Sequence, residues 1–385
     1  MKITGAWIDR AATQAVMHML AEAGHQALFV GGCVRNALLG APVKDIDIAT
    51  DAHPETVMKL AAQAGLKGVP TGFDHGTVTV VSSRIPHEVT TFRRDVETFG
   101  RHATVVFSQE LSEDARRRDF TMNALYARAD GTLIDPLGGL PDLRARRVRF
   151  IEDAAQRIAE DYLRILRFFR FHAWYGDAAT GMDADALDAI ARSIEGLAGL
   201  SRERVGAEML TLLAAPDPAP ALAAMRATGV LQMVLPGAQD RSLGPLIHAE
   251  ILSAADPDPI RRLAALGGDD APTRLRLSKA DAKRLTLLCE VASNSQSAAE
   301  LGYRHGADKA RDILLLRAAL LEQRPDPASM DTARQGALAR FPISAADLMP
   351  GLQGAALGKR LATLEQVWID SGFTLSRDDL LAQKT

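Results

Sequence analysis

The sequence predicts an α+β protein in which an N-terminal sheet-and-helix domain is followed by an all-helical remainder. Between about Ala27 and Asp135, short β-rich runs (ALFV, DIDIAT, GTVTVV, HEVTTF, TVVF, TLID) alternate with helical stretches and turn residues. From Asp135 the run DPLGGLPDLRARRVRF carries Pro136, Gly138, Gly139 and Pro141, and beyond it Ala, Leu, Arg and Glu recur at helical spacing. These features set a domain boundary near residue 135. A length of 385 residues, 47% of them hydrophobic, supplies a core for each.

Composition narrows the function before any motif is considered. The counts of 45 basic and 48 acidic residues give a net charge of −3, so no global positive field holds polyanions and any nucleic-acid contact must come from local patches. Cys33 and Cys289 share no ligand spacing, which argues against a thiol-bound metal and fits a reduced, cytoplasmic chain. The N-terminal segment is broken by Asp9, Arg10, Gln14 and His18, and no stretch has the length of apolar residues that a membrane span needs.

The first candidate element is LFVGGCVRNALLGAP, a strand to Val30, a tight Gly31-Gly32 turn and a short helix closed by Gly40 and Pro42. Such a turn lets backbone N–H groups approach an anion at a helix N-terminus, and Arg35, one turn in, would complete a phosphate clamp. Alone, the glycine pair is equally an ordinary strand-to-helix turn.

Next, VKDIDIAT places Asp45 and Asp47 two apart in an expected strand, where alternation points both carboxylates to one face while Ile46 and Ile48 take the buried one. Two adjacent acids repel, and a divalent cation such as Mg²⁺ relieves that repulsion through hard oxygen ligands. Glu88 in HEVTTF adds a third carboxylate from a neighbouring strand. Three carboxylates so placed would hold two metal ions, the arrangement that aligns a hydroxyl with a nucleotide α-phosphate and stabilises the leaving pyrophosphate.

Downstream, EDARRRDFTMNALY reads as helical. Arg118 would reach a triphosphate, while Asp119 and Asn123 at i, i+4 would offer an acceptor and a donor to a ribose hydroxyl. Arg116 and Arg117 read as a solvated face. Finally, AEDYLRILRFFRFHAWY places Glu160, Asp161, Arg164, Arg167 and Arg170 on one helix whose Leu163, Leu166 and Phe169 face a core. Asp161 and Arg164 at i, i+3 form either a surface ion pair or a reader. A carboxylate acceptor beside a guanidinium donor matches the edges of cytosine and adenine and refuses uracil and guanine, with no template.

Toward the C-terminus, Pro216/Pro218/Pro220, Pro257/Pro259 and Pro325/Pro327 divide the helical region, and Leu357, Leu361, Leu364 and Trp368 form a one-faced stripe that reads as core.

Taken in order, VGGCVRNALLG, KDIDIAT, HGTVTVV, EVTTFR, RRDFTMNALY, DPLGG and EDYLRILRFFRF resemble the class II tRNA nucleotidyltransferase and bacterial poly(A) polymerase family, most closely its CCA-adding enzymes. The resemblance covers roughly residues 27–171. It implies a polymerase β-like nucleotidyltransferase head over 1–135, an all-helical neck that reads the base over 136–205, and an all-helical body and tail that bind tRNA over 206–385. It also implies that Asp45 and Asp47 bind catalytic Mg²⁺, that Glu88 is the third acid, and that Gly32, Arg35, Arg118, Asp161, Arg164, Arg167 and Arg170 contact incoming ATP or CTP. The reaction so implied adds C, C and A to the tRNA 3′ end.

One departure is Asn36, where the family commonly has Asp, which keeps hydrogen bonding and loses a charge. No paired His-Asp phosphohydrolase pattern is apparent. The stretch from Arg94 to Arg116 is long enough for the flexible loop that, in the family, accompanies the switch from C to A, which favours full CCA synthesis over CC addition. Between residues 142 and 170, eight basic residues face five acidic ones, a mildly positive patch suited to the tRNA acceptor arm. Two alternatives share these motifs: a poly(A) polymerase, disfavoured by the absence of a strongly basic tail, and a non-catalytic RNA-binding relative, whose mark would be loss of Asp45, Asp47 or Glu88.

Overall fold

The computed structural model describes residues 1–99, 102–349 and 351–383. The chain forms two compact units, Met1–Val234 and Leu235–Thr385.

In the first unit, α1 (Ala11–Glu22) precedes β1 (Ala27–Val30), α2 (Gly32–Leu38), β2 (Asp47–Thr50), α3 (Pro54–Gln63), β3 (Lys67–Gly72), β4 (Thr77–Ser82) and β5 (Ile85–Thr91). There follow β6 (Arg93–Phe99), β7 (His102–Phe107), α4 (Leu111–Arg116), β8 (Tyr126–Ala127), β9 (Leu133–Ile134), α5 (Leu140–Arg144), α6 (Ala154–Glu160) and α7 (Leu163–Tyr175). The unit closes with α8 (Ala184–Arg192), α9 (Arg202–Leu213), α10 (Ala219–Ala227) and α11 (Val230–Val234).

The main sheet has the order β3-β4-β5-β2-β1-β8-β9. Strand β2 lies inside it, antiparallel to β1 and parallel to β5, and its Ile48, Ala49 and Thr50 are all buried, as expected of a strand covered on both faces. Strand β4 shows the period-2 signature instead: Val78 and Val80 are fully buried and the residues between them are half-buried.

Two expected elements differ. The stretch from Arg94, expected to hold a loop, contributes most of an antiparallel pair, β6 with β7; its tip, residues 100–101, lies outside the described residues. The helix expected across AEDYLRILRFFRF is broken in two. Asp161 adopts extended backbone (φ −154°, ψ 105°) at the end of α6, and its carboxylate accepts the Leu163 N–H at 3.0 Å. That side-chain bond competes with continued helix, as acidic residues do at helix starts.

The second unit is helical: α12 (Leu243–Leu252), α13 (Pro259–Leu266), α14 (Ala271–Arg274), α15 (Lys279–Ala292), α16 (Ala298–His305), α17 (Ala307–Leu320), α18 (Pro327–Leu338), α19 (Ala345–Leu348), α20 (Gly354–Asp370) and α21 (Arg377–Leu381). Pro259 and Pro327 open α13 and α18, where a missing N–H costs nothing. Helices α16 and α18 pack backbone to backbone: a Cβ on Gly302 would stand 1.9 Å from the Ala333 carbonyl oxygen, and one on Gly336 2.1 Å from that of Ala299. In α20, Leu364 and Trp368 are buried and Leu361 packs against them, so this part of the stripe is core, while Leu357 at its start is half-buried. Within this unit Glu250 accepts from both Arg261 and Arg262, and Arg261 also donates to Asp312 at 2.7 Å; all four are buried.

Candidate active site

The glycine turn after β1 forms as the sequence suggests. Gly31 caps α2 at φ 70°, a conformation that a side chain would strain, and its N–H is donated to the Leu125 carbonyl. The next N–H groups belong to a first helical turn, which lacks intrahelical acceptors. Arg118 stands over the turn, its Nη1 3.4 Å from where a Gly31 Cβ would be.

Asp47 opens β2 and is the Cα partner of Glu88 on β5, while Asp45 precedes the strand with buried Ile46 between the two acids. Glu88 thus lies within β5, and the three carboxylates are neighbours. Burial, then Glu88, pushes the Asp47 carboxyl up to about 6, with Asp45 adding to the rise and Arg118 and Arg35 opposing it. The thiol of Cys33, buried behind β2 within 3.7 Å of the Asp47 carbonyl, is pushed up to about 11 by burial and is inert.

The site acids stand apart from the buried acids around them. Asp114, Asp119 and Asp142 are each paired with arginine, whereas among the described residues none of Asp45, Asp47 and Glu88 is in an ion pair. Acids with arginines nearby but no ion-pair partner of their own fit a metal ion in hard oxygen ligands. Among the described residues no three acidic, histidine or cysteine groups converge closely enough to form a ready-made metal cage.

Arginines are fixed around this face. Arg118 donates through Nε and Nη2 to Asp114 (3.3 and 3.0 Å) and through Nε to the Tyr126 hydroxyl, leaving Nη1 toward the turn. Arg117 binds Asp114 as well, at 2.6 Å, so it is not the solvated residue its sequence context suggested; Arg116, paired with Glu152, is exposed. Although burial raises the Asp114 carboxyl, Arg118, Arg117 and the Tyr126 hydroxyl bring it down to about 2.

Asp119 and Asn123 do meet, though through a turn and a single 3-10 segment instead of an α-helix. Asn123 Nδ2 donates to Asp119 at 2.9 Å, and its carbonyl oxygen accepts from Arg35 Nη1 at 2.6 Å. Asp119 also takes Arg167 in two bonds of 2.8 and 2.5 Å. This pair is therefore engaged in organising arginines and not displayed for a ribose. Asn36 accepts from Arg35 and donates to the Pro42 carbonyl, the structural role that an amide retains.

At the α6–α7 break, Asp161 and Arg164 do not pair with one another. Asp161 Oδ2 binds Arg204 at 2.5 Å, while Arg164 Nη1 donates to Glu160 at 2.5 Å and to the Arg157 carbonyl, and Nη2 to the Arg117 carbonyl. Both groups are thereby held in place, with Arg164 Nε carrying no bond among the described residues. Further along α7, Arg170 is bound by Glu208 at 2.5 Å. Sequence reasoning missed Asp114, Tyr126, Arg204 and Glu208. Only Asp114 left a local signal, its i, i+4 spacing to Arg118; the others reach their partners across the fold.

Comparison with known proteins bears on the family and the fold. Residues 27–149 match the family model "Poly A polymerase head domain", and residues 181–241 match "Probable RNA and SrmB- binding site of polymerase A". The mitochondrial CCA tRNA nucleotidyltransferase 1 of Mus musculus is 32% identical over 96% of this chain and 88% of its own length. A CCA-adding enzyme of Geobacillus stearothermophilus is 36% identical over 81% of this chain and 78% of its own. The crystal structure of the Bacillus stearothermophilus CCA-adding enzyme in complex with CTP superposes with a TM-score of 0.75 at 30% identity, covering 94% of each chain.

Proposed function

The chain belongs to the CCA-adding tRNA nucleotidyltransferase family, and from that membership we propose that Asp45, Asp47 and Glu88 carry the chemistry and that α7 reads the base. The protein adds C, C and A in turn to the 3′ end of tRNA, taking CTP and ATP as substrates. The observation that supports this assignment of residues is the unneutralised acidic face at the start of β2, set beside a glycine turn and Arg118.

Enzymes of this kind use divalent metal, for which we propose Mg²⁺ held by Asp45 and Asp47. When bound, such ions activate the RNA 3′ hydroxyl toward the α-phosphate and stabilise the departing pyrophosphate. The remaining work falls to the protein's own groups. At the turn that Gly31 makes, Gly32 and Arg118 receive the triphosphate, joined by the one N–H of Arg35 that has no acceptor among the described residues. Asp119 and Asn123 set the arginines Arg167 and Arg35 and serve the nucleotide through them. Asp161 and Arg164 present acceptor and donor to the base, with Arg204 and Glu160 holding each in register, and Arg167 and Arg170 line the same helix.

We assign residues 1–135 to the catalytic head, 136–205 to the neck that reads the base, and 206–385 to the body and tail that hold the tRNA. Among the described residues no helix is long and apolar enough to cross a membrane. Two unpaired cysteines support a reducing compartment, which we take to be the cytoplasm.

The test is competition among the four nucleoside triphosphates for incorporation by the wild type and Asp161→Asn. The wild type takes CTP and ATP and rejects UTP and GTP. The amide keeps the Leu163 cap and loses the fixed acceptor, so discrimination falls about tenfold or more, the value of one good directional contact. Unchanged rejection of UTP by the variant contradicts the reader.

A further inference from the structure

Helix α7 carries Arg167, Phe171 and Tyr175 at i, i+4, i+8, and these three are joined at both ends to the head by one closed chain of contacts. At the first end, Arg167 binds Asp119, Asp119 accepts from Asn123, and Asn123 accepts from Arg35. At the other, the Tyr175 hydroxyl accepts from Arg35 Nη2 at 2.8 Å, and the Arg35 guanidinium lies 3.9 Å from the centre of the Tyr175 ring and 5.1 Å from that of Phe171. Arg167 in turn stands 5.3 Å from the Phe171 ring centre, and the Phe171 and Tyr175 rings are 5.4 Å apart.

Arg35 is buried, and this circuit accounts for how it is held. A guanidinium has five N–H groups; two are taken by bonds to Asn36 from Nε and Nη2, one by Asn123 and one by Tyr175. Among the described residues no carboxylate binds Arg35 directly. The neutral Asn36 stands where an acid would have supplied charge, and Arg167 and Arg170 repel the guanidinium. A tyrosine at the end of α7 meets the need with a π face for the cation and an oxygen for its donor, and the C-terminal end of the helix favours a positive charge. The guanidinium also lies along the phosphate turn: a Cβ on Gly32 would be 3.8 Å from Nη2.

We propose that Tyr175 is a positioning residue for nucleotide addition, locking Arg35 to the reader helix so that the phosphate turn and the base-reading face of α7 keep one fixed spacing. This rests on the reading above that Arg35 faces the incoming nucleotide. Because Arg35 serves the part that CTP and ATP share, Tyr175 acts on both nucleotides alike and not on base choice.

The experiment compares Tyr175→Leu, Tyr175→Phe and Arg35→Gln, singly and as the Tyr175→Leu/Arg35→Gln pair, with KM and kcat measured for CTP and ATP and the melting temperature for each. Tyr175→Leu is expected to raise KM for both nucleotides about tenfold, with kcat changed by less than about threefold. Tyr175→Phe, which keeps the ring and loses the hydroxyl, falls between it and the wild type. In the Arg35→Gln background, Tyr175→Leu adds no further rise, the non-additivity of residues acting through one another. If Arg35→Gln raises KM while Tyr175→Leu and Tyr175→Phe leave it unchanged, or if the two effects simply add, Tyr175 does not position Arg35. If Arg35→Gln itself leaves KM unchanged, the assignment of Arg35 to the nucleotide site falls, and this inference with it.

Discussion

Asp47 and Glu88 stand side by side as Cα partners in the parallel pairing of β2 with β5, and among the described residues no cationic side chain pairs with either. The fold holds two like charges together at an internal strand, and the consequence is visible in the Asp47 carboxyl, pushed up to about 6 by burial and then by Glu88. A cation bound between them would relieve that electrostatic cost, which is the basis of the metal site proposed above.

Asp47→Asn separates this cost from the function. Incorporation of both C and A is expected to fall by roughly a thousandfold or more, the loss of several kcal/mol of charge stabilisation. Because the folded state raises the pKa of this acid, its charged form weakens the metal-free fold at neutral pH, so the variant's melting temperature stays level or rises. Retained incorporation in a folded Asp47→Asn protein contradicts the metal assignment.

The Asp114 anchor behaves in the opposite sense. Its carboxyl is held down to about 2 despite burial, chiefly by Arg118 and Arg117, so the stability it contributes is complete above the ordinary carboxylate pKa near 4 and is lost as pH falls toward 2. Asp114→Asn, which leaves two arginines short of their buried partner, is expected to cost about 3–5 kcal/mol at pH 7. Thermal melting of both proteins from pH 6 to pH 2 checks this, since the gap between them should narrow below about pH 4.

How far these features could be read from the chain depends on the range of the interaction. The alternation of Asp45 and Asp47 about buried Ile46 was legible because that pattern is local, although the strand begins only at Asp47, and the Gly31-Gly32 turn was legible because glycine tolerates its backbone. The break between α6 and α7 was not, since it depends on the Asp161 side chain capping Leu163, a contact that helical spacing of the flanking residues does not reveal. Nor was the partner of each arginine: Arg204 lies 43 residues from Asp161, and Tyr175 lies 140 from Arg35. In both cases the contact follows from helix packing, which no local pattern encodes.

In the second unit, stability concentrates on Glu250, whose two oxygens serve the fully buried Arg261 and Arg262. Glu250→Gln is expected to lower the unfolding free energy by about 3–5 kcal/mol, because it removes the charge facing two desolvated guanidiniums. Urea unfolding monitored by circular dichroism measures it, and a change below about 1 kcal/mol would show that the network contributes little.

The most direct test of the account is the product itself. The purified protein is incubated with Mg²⁺ and a tRNA lacking its terminal CCA, with CTP and ATP supplied together and separately, and the RNA is weighed by mass spectrometry. The account predicts two C from CTP alone, and C, C and A followed by a halt when both are present. A ladder of A, or a tRNA left unextended, would contradict it.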